Sequence, residues 1–246
     1  MPKSFSARMF VALIVISGLV VLGEAVLNTG SMPTVRFAAF LLVACLAARL
    51  KIKLPGLTGS MSVNLPFILM AAAEMNAAEA LAVGFISTLV QCLPRGKQKF
   101  NVVQAAFNCS TISLAVAATR LIYASPSVAL QVHSPALRLA IAAAGYALAN
   151  TVPVAIVIGL TESVSTLRTW VEMLQLSFPY LVASAGVAGL SLTFRQGLGW
   201  QAPLVVLPVM VGIFQSYRRY FAATAATEAA SVQVQDGNRA AAGAHA

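Results

Sequence analysis

The sequence predicts an all-α fold: a polytopic integral membrane helix bundle with about eight membrane segments, one of them short and broken. Two observations lead to this prediction. First, 59% of the 246 residues are hydrophobic and only 9% are charged, whereas soluble domains carry about 25% charged residues. Second, the apolar residues lie in long runs separated by short basic or proline- and glycine-rich stretches. Such a chain cannot cover its surface with polar groups, so we expect lipid to be its solvent.

Eight apolar stretches are the candidate membrane segments. Crossing about 30 Å of hydrocarbon takes about 20 apolar residues in a helix. In chain order the stretches are approximately Met9–Leu27, Val35–Leu50, Met61–Ala73, Ala78–Leu93, Val102–Tyr123, Ala136–Leu160, Phe178–Phe194 and Ala202–Phe214. The third stretch is too short to cross alone, so it spans only if the backbone before it also lies at membrane depth.

The backbone before the third segment, KLPGLTGSMSVNLP (residues 53–66), reads as non-helical. Pro55 disfavours helical continuation, and Gly56 and Gly59 permit tight turns. Unpaired backbone inside hydrocarbon must be buried in protein or line a cavity. Two interpretations are open: a break that enters the bilayer and carries Asn64 into the interior, or a surface loop before a short helix in a thinned membrane.

The basic residues predict that both termini are cytoplasmic. An excess of Lys and Arg marks the cytoplasmic side of a membrane protein. With eight alternating segments and the N-terminus inside, the inner side holds Lys3, Arg8, Arg49, Lys51, Lys53, Arg95, Lys97, Lys99, Arg168, Arg218, Arg219 and Arg239. The outer side holds only Arg36, Arg120, Arg138 and Arg195. Without a crossing by the third segment the Arg95 cluster would lie outside, so the count favours a crossing there.

The domain organisation follows from the same pattern. Residues 1–220 are predicted to be a single transmembrane helical domain, and residues 221–246 a cytoplasmic tail that continues the last helix and then becomes disordered. Between the sixth and seventh segments, Glu162–Leu176 carries apolar residues at helical spacing and Trp170 as an interfacial anchor. This stretch predicts an amphipathic helix on the inner surface.

Several function classes have no support in the sequence. The chain contains no GxSxG, P-loop or HExxH motif, and Cys45, Cys92 and Cys109 are far apart, without metal-ligand spacing. The net charge of +9 comes from basic clusters between apolar runs, which is typical of membrane topology rather than of nucleic-acid binding. We therefore predict a non-enzymatic protein without metal or cofactor, whose partners are the lipid bilayer and no nucleic acid.

Polar residues within the apolar segments are candidate ligand-binding residues, because placing them in a bilayer is costly. The predicted set is Asn64, Asn108, Gln104, Asn150, Glu24 and Glu74. On the fifth segment one polar stripe is formed by Asn101, Gln104, Asn108 and Thr111. This stripe must face protein or water, either for hydrogen bonding between helices or as the wall of a pocket that faces Asn64.

Three of the candidates lie near breaks or ends of segments. Glu24 and Arg36 are expected to pair near the outer face, as a topology-stabilising ion pair or as a ligand or proton site. Glu74 and Glu79 flank a short outer turn, predicted as a solvated loop or as the outer lip of a cavity. Asn150 precedes a proline in the sixth segment; it either satisfies the carbonyl that the proline frees or lines a site at the kink.

Three passages resemble a known family: LKIKLPGLTGSMSVNLPFILMAAAE, EALAVGFISTLVQCLPRGKQKFNVVQAAFN and LPVMVGIFQSYRRYF. They resemble the N-terminal multi-helix membrane sensory region of bacterial signalling proteins whose cytoplasmic half is an HD-GYP phosphodiesterase or GGDEF cyclase module. The resemblance covers most of residues 35–220. The residues that carry it are Pro55, Gly56, Gly59, Asn64, Phe107, Asn108, Tyr217 and Tyr220.

The resemblance implies a sensor in the bacterial inner membrane whose last helix leads through a signal juncture into the cytoplasm. That juncture is Tyr217, Arg218, Arg219 and Tyr220. The chain departs from the family after Tyr220, because no HD pair, GYP motif or GGDEF motif follows. An input domain without its output module is therefore expected, and cyclic-dinucleotide catalysis is not.

A second similarity leads to an alternative function. The Pro/Gly-rich loop followed by a short helix and a glycine-containing helix resembles substrate-binding membrane subunits of vitamin importers. The leading prediction is a sensory domain that binds an unknown small molecule and acts through a protein partner or a homo-oligomer. The alternative is a small-molecule transporter or the substrate-capture subunit of an importer. A structural membrane protein, with every polar residue used in packing, is the third interpretation.

Overall fold

The computed structural model describes residues 5–28, 34–53, 60–94, 100–193, 201, 203–216 and 219–220. Its helices are α1 (Phe5–Leu27), α2 (Thr34–Ala48), α3 (Leu65–Glu74), α4 (Ala77–Cys92), α5 (Val102–Ala124), α6 (Pro126–Gln131), α7 (Pro135–Glu162), α8 (Thr166–Thr193) and α9 (Pro203–Ser216). A short antiparallel pair of strands, β1 (Lys51–Lys53) and β2 (Ser60–Ser62), lies between α2 and α3. The predicted helical fold is confirmed, with this small hairpin as an addition.

Four of the described helices, α1, α5, α7 and α8, are long and apolar enough to cross a membrane. α1 and α5 have 23 residues each, and α7 and α8 have 28 each. At about 1.5 Å per residue, all four exceed the roughly 30 Å of a hydrocarbon core. α2, α3, α4 and α9 are apolar but shorter. The four long helices support the predicted membrane class, and the number of eight segments stays a prediction.

One end of the bundle, which we call the Glu74 end, gathers the start of α2 with the ends of α3 and α5. Arg36 near the start of α2 forms an ion pair with Glu74 at the end of α3. Arg120 near the end of α5 donates to the Ala72 carbonyl of α3 at 3.0 Å. The Arg138 guanidinium near the start of α7 lies 5.3 Å from the Tyr123 ring near the end of α5. The end of α8 lies beside the start of α7 at this same end.

The opposite end, which we call the hairpin end, gathers the ends of α2 and α4 around the two strands. Val63 donates its backbone N–H to the Leu50 carbonyl at 3.2 Å, and Arg49 donates to the Val90 carbonyl of α4 at 3.3 Å. α1 packs parallel to α5. The helices α1, α3, α5 and α8 therefore run towards the Glu74 end, and α2, α4 and α7 run towards the hairpin end.

The helix α3 is enclosed by the rest of the bundle. Residues Leu65–Ala72 are all buried, and α3 contacts α2, α4, α5, α7 and α8. Its 10 residues make about 15 Å of helix, which is half of a hydrocarbon core. α3 is thus a central half-helix whose free N–H and carbonyl groups at both ends need hydrogen-bond partners from neighbouring elements.

The predicted amphipathic helix, Glu162–Leu176, is not a separate element, and its position on the inner surface stays a prediction. Glu162 ends α7, residues 163–165 connect the two helices, and the remainder of the stretch is the first part of α8, which continues through Pro179. Trp170, predicted as an interfacial anchor, is half-buried and its indole Nε1 donates to Thr151 Oγ1 of α7 at 3.0 Å. Helical periodicity alone cannot distinguish a surface helix from the first turns of a long helix that pairs with its predecessor.

α1 is attached to α5 by a close approach at Gly18. A Cβ atom placed on Gly18 would lie 2.5 Å from Ser110 Cβ and 2.6 Å from Ser110 Cα. One turn earlier in α1, the Val15 carbonyl accepts a hydrogen bond from Ser110 Oγ at 3.4 Å. A glycine lets the two backbones approach this closely, as is common where membrane helices associate.

Gly18→Ala is expected to destabilise the protein by about 1–3 kcal/mol, because the added methyl group must push the backbone of α1 away from α5. The measurement is equilibrium unfolding by SDS in detergent micelles. Gly23→Ala on the same helix is the matched control, since a Cβ there meets nothing within 4 Å and alanine favours helix by up to about 1 kcal/mol. Equal stability of the two variants would contradict the close packing of α1 on α5.

Candidate functional site

The β1–β2 hairpin directly precedes the buried start of α3. The strands pair in antiparallel register with Lys51 opposite Ser62, Ile52 opposite Met61 and Lys53 opposite Ser60. Ser62–Asn64 then form the bend before α3. The residues expected to make the turns, Pro55, Gly56 and Gly59, lie outside the described part of the chain.

Tyr180 of α8 holds this bend. Its hydroxyl donates to the Ser62 carbonyl at 3.0 Å and accepts from the Leu65 N–H at 3.3 Å. The first N–H groups of a helix have no acceptor within the helix, so Tyr180 caps α3 from another helix. The tyrosine is 3% exposed, and both hydrogen-bonding functions of its hydroxyl are used. α8 is thereby joined to the hairpin and to α3 at one point.

Because Tyr180 caps α3, the Asn64 side chain is available for hydrogen bonds to neighbouring residues. It occupies the N-cap position of α3, but its side chain makes no capping hydrogen bond there. Asn64 Nδ2 donates instead to Ser87 Oγ of α4 at 3.1 Å. Its carbonyl oxygen accepts from Ser62 Oγ at 2.6 Å. The amide therefore connects the hairpin with α4.

These contacts extend into a chain of hydrogen bonds that we call the hairpin network: Gln91, Ser62, Asn64 and Ser87, with Tyr180 at its side. Ser62 Oγ also lies 2.9 Å from the side-chain oxygen of Gln91. A serine hydroxyl has one proton, so both Ser62 contacts are hydrogen bonds only if Gln91 presents its NH2 group. Each group then donates to the next, and Ser87 donates to the Gly84 carbonyl at 3.2 Å.

The chemistry of the hairpin network is neutral. It consists of hydroxyls and amides, and Ser62, Asn64 and Ser87 are buried while Gln91 is half-buried. Buried polar groups of this kind need partners, and here they find one another. Such an arrangement recognises a ligand by donor and acceptor positions.

The predicted polar stripe of α5 does not form one wall. Asn101 caps the helix by accepting from the Gln104 N–H at 3.2 Å, and the Gln104 side chain is exposed. Asn108 is half-buried, and its Nδ2 lies 3.6 Å from Cys92 Sγ of α4. Thr111 is buried. Asn64 and Asn108 thus contact α4 through different residues, and the structure does not join the two amides.

Two further candidates lie apart from the hairpin network. Asn150 is half-buried on α7, but its neighbour Thr151 makes the polar contacts, donating to the Ala147 carbonyl at 2.7 Å and accepting from Trp170. Glu24 is exposed near the end of α1. Its predicted pairing with Arg36 is wrong, because Arg36 pairs with Glu74.

Glu74 belongs to a second polar centre, the arginine–glutamate cluster of Arg36, Glu74, Glu79 and Arg120. The Glu74 side chain is only 2% exposed at its ion pair with Arg36. Arg120 Nη1 donates to the carbonyls of Ala72 and Met75. Ala72 lies in the last turn of α3 and Met75 is its C-cap residue, and carbonyls at this end of a helix lack partners within the helix and attract positive charge. The cluster therefore caps α3 at its C-terminal end.

One interpretation predicted that the α3–α4 turn is a solvated loop, and this interpretation is wrong. Glu79 is 2% exposed and forms a capping box with Asn76. Asn76 Oδ1 accepts from the Glu79 N–H at 2.9 Å, and Glu79 Oε2 accepts from the Asn76 N–H at 3.2 Å. Both glutamates of the turn are thus buried and used in local structure.

The juncture predicted for signal output lies mostly beyond the described residues. Tyr217 and Arg218 fall outside them, whereas Arg219 and Tyr220 are helical and exposed. The preceding helix α9 packs on the core through the buried side chains of Val206 and Met210.

Sequence reasoning missed Tyr180, Ser87, Gln91 and the role of Arg120. Ser87 and Gln91 have the i, i+4 spacing of one helix face, which was available as a signal. Tyr180 lies 115 residues from Leu65, and no local pattern indicates that pairing.

No group of three or more His, Cys, Asp and Glu side chains in the described ranges is arranged to hold a metal ion. No protein-family model, curated protein or solved structure matches the chain. The geometry of the two polar centres is therefore the best indication of function.

Tyr180→Phe is expected to destabilise the protein by about 1–3 kcal/mol, because it leaves the Leu65 N–H buried without a partner. SDS unfolding in micelles measures the change. Tyr123→Phe is the matched control: the Tyr123 ring stacks near Arg138, and phenylalanine keeps a ring there. The capping role of Tyr180 is refuted if both variants unfold at the same SDS fraction.

Glu74→Gln is expected to cost about 1–3 kcal/mol, between the values for surface pairs and fully buried pairs, because the Glu74 side chain is buried and the Arg36 side chain is 27% exposed. Glu172→Gln is the control. Glu172 pairs with Arg168 on the exposed start of α8 at 2.9 Å, and surface pairs contribute less than about 1 kcal/mol. The same unfolding titration compares the two. A loss at Glu74 no larger than at Glu172 would exclude a structural role for the Arg36–Glu74 pair.

Proposed function

We propose that the chain is a non-enzymatic sensory domain of the bacterial inner membrane, which binds a small polar molecule at the hairpin network and acts through a protein partner. The observation that carries the proposal is the pair of hydrogen bonds made by Tyr180. These bonds connect the bend of the hairpin to α8, the helix that leads towards α9 and the cytoplasmic juncture. Movement of the bend would therefore act directly on the C-terminal helices.

The depth of the hairpin network supports this proposal. Tyr180 lies 13 residues before the end of α8 at Thr193, which is about 20 Å of helix. If the Glu74 end marks the outer boundary of about 30 Å of hydrocarbon, the bend lies about 10 Å inside the inner boundary. This placement favours backbone that enters the membrane over a surface loop, and it puts polar groups where function is the usual reason for them.

The alternating helix directions support the proposed topology. α1, α2, α3, α4, α5, α7 and α8 reverse direction in turn, as seven crossings require. Together, Ser62–Asn64 and α3 make one crossing. They connect the hairpin end, where Arg49 and the end of α4 lie, with the Glu74 end, where Arg36 lies. With α9 as the eighth crossing, both termini are cytoplasmic and the basic clusters face inward.

Ligand binding would work by exchange of hydrogen bonds. A ligand that offers a donor beside an acceptor, such as an amide, can replace the Asn64 amide at Ser87 or the Gln91 amide at Ser62. The ligand shifts the equilibrium between closed and open forms by the difference in its affinity for them. Opening the hairpin network releases the Ser62 bend, to which Tyr180 is attached. The resemblance to bacterial signalling proteins agrees with output through a partner or a homo-oligomer.

Transport is the second candidate function, favoured by one observation. Irregular backbone followed by a half-helix near the middle of the membrane is the usual construction of substrate sites in transporters. Accumulation of a labelled metabolite or vitamin in cells that express the protein would support transport. Binding without accumulation supports sensing.

Ligand binding is tested by native mass spectrometry of gently purified protein and by a thermal-shift screen of polar metabolites in detergent. A metabolite that binds the folded state is expected to raise Tm of the wild type. Asn64→Leu and Ser87→Ala should lose this shift, because they remove groups of the hairpin network. Asn108→Leu is the matched control and should keep it, since Asn108 contacts Cys92 instead. The proposal fails if no metabolite co-purifies or raises Tm, or if the shift survives Asn64→Leu and Ser87→Ala.

A further inference from the structure

An apolar groove runs between α1 and α5 next to their N-terminal ends. Its volume is about 410 Å³, and its walls include Val11 and Val15 of α1 and Val103 and Ala106 of α5. The groove belongs to neither polar centre and opens on the outer surface of the bundle. At the predicted membrane depth this surface faces lipid, because the helix α1 is apolar and largely exposed.

The groove follows from how the two parallel helices pack. They approach closely at Gly18 and Ser110, about one turn beyond the groove. Towards their N-termini the small side chains of Ala12 and Ala106 leave space between the helices. The groove is therefore a gap between two helices that touch further along, and its long direction follows the helix axes, as a lipid acyl chain does.

The mouth of the groove is positively charged. Arg8 lines it at the N-terminal end of α1 and is exposed. Val102 and Val103, which also line it, are the first two residues of α5, where backbone N–H groups lack helical acceptors. The parallel N-termini of α1 and α5 place the positive ends of two helix dipoles at this mouth. Charge at one end and an apolar trough behind it form an amphipathic site.

We propose that this groove binds one anionic phospholipid, with an acyl chain between α1 and α5 and the phosphate at Arg8 and the first turn of α5. A phospholipid matches both parts of the groove, since it carries a negative charge at the end of an apolar chain. An apolar helix from a partner would match the trough but not the positively charged mouth, whereas a phospholipid matches both. The guanidinium has five donors, so a phosphate can be added to contacts that Arg8 already makes.

The site also agrees with the proposed topology. The N-termini of α1 and α5 lie at the hairpin end, which the basic residues assign to the cytoplasmic side. Anionic lipids attract basic residues close to the membrane surface. A bound lipid would stabilise the contact of α1 with α5, because it fills a gap between two helices that touch mainly around Gly18.

The test uses the full-length protein in lipid nanodiscs of phosphatidylcholine alone or with phosphatidylglycerol, and native mass spectrometry to count retained lipids. The wild type is expected to retain one phosphatidylglycerol and to show a higher Tm with it than with phosphatidylcholine alone. Arg8→Gln should weaken phosphatidylglycerol binding by about tenfold, the loss of one charge-assisted hydrogen bond. Arg168→Gln is the matched control: it removes an exposed arginine near the hairpin end and should leave binding unchanged.

Ala12→Phe tests the apolar half of the site independently. Ala12 is exposed at the groove, so the larger side chain fills the trough without entering the core. This variant should lose the retained lipid while keeping the fold. Three results would overturn the proposal: equal retention of the two lipids by the wild type, no effect of Arg8→Gln beyond that of Arg168→Gln, or a retained lipid in Ala12→Phe. Retention lost only in Ala12→Phe would assign the groove to an uncharged occupant instead.

Discussion

Inside a membrane every backbone polar group must find a partner in the protein, and this constraint governs the arrangement around α3. A helix of about 15 Å cannot reach both surfaces of about 30 Å of hydrocarbon, so the free N–H and carbonyl groups at its ends need partners within the protein. Tyr180 supplies the acceptor at one end, and Arg120 supplies the donors at the other. Both side chains come from long helices, α8 and α5, which are therefore held to the ends of α3.

The remaining polar contacts follow from these two caps. At the Glu74 end, the arginine–glutamate cluster contains two arginines and two buried glutamates, so its charges balance. Where Tyr180 holds the bend, Asn64 is relieved of capping and can bond to Ser87 instead. α2 and α4 are then joined to α3 at opposite ends, α2 by the Arg36–Glu74 pair and α4 by the hairpin network.

The sequence was sufficient for the class of fold and for most helix bounds, because length and hydropathy decide which segments enter lipid. The predicted segment Val102–Tyr123, for example, is α5 at Val102–Ala124. The sequence was also sufficient to predict that Asn64 is buried, since an amide within an apolar run is carried into the interior with its neighbours. It was not sufficient for the pairs Arg36–Glu74 and Trp170–Thr151, which depend on how helices meet. Each polar residue had several partners of matching chemistry, and only packing chooses among them.

The two ends of α3 differ in the free energy needed to break their polar contacts. Breaking the Arg36–Glu74 pair, whose carboxylate is buried, costs more than breaking a surface pair, so the Glu74 end resists rearrangement. Hydrogen bonds between neutral groups of membrane helices contribute only about 0.6 kcal/mol on average, and a polar ligand can replace them one for one. Exchange of partners would therefore cost less at the hairpin end than at the Glu74 end. If the proposed ligand exchanges these bonds, the start of α3 would shift relative to its Glu74 end, and α8, which is bonded to the bend through Tyr180, would be displaced with it.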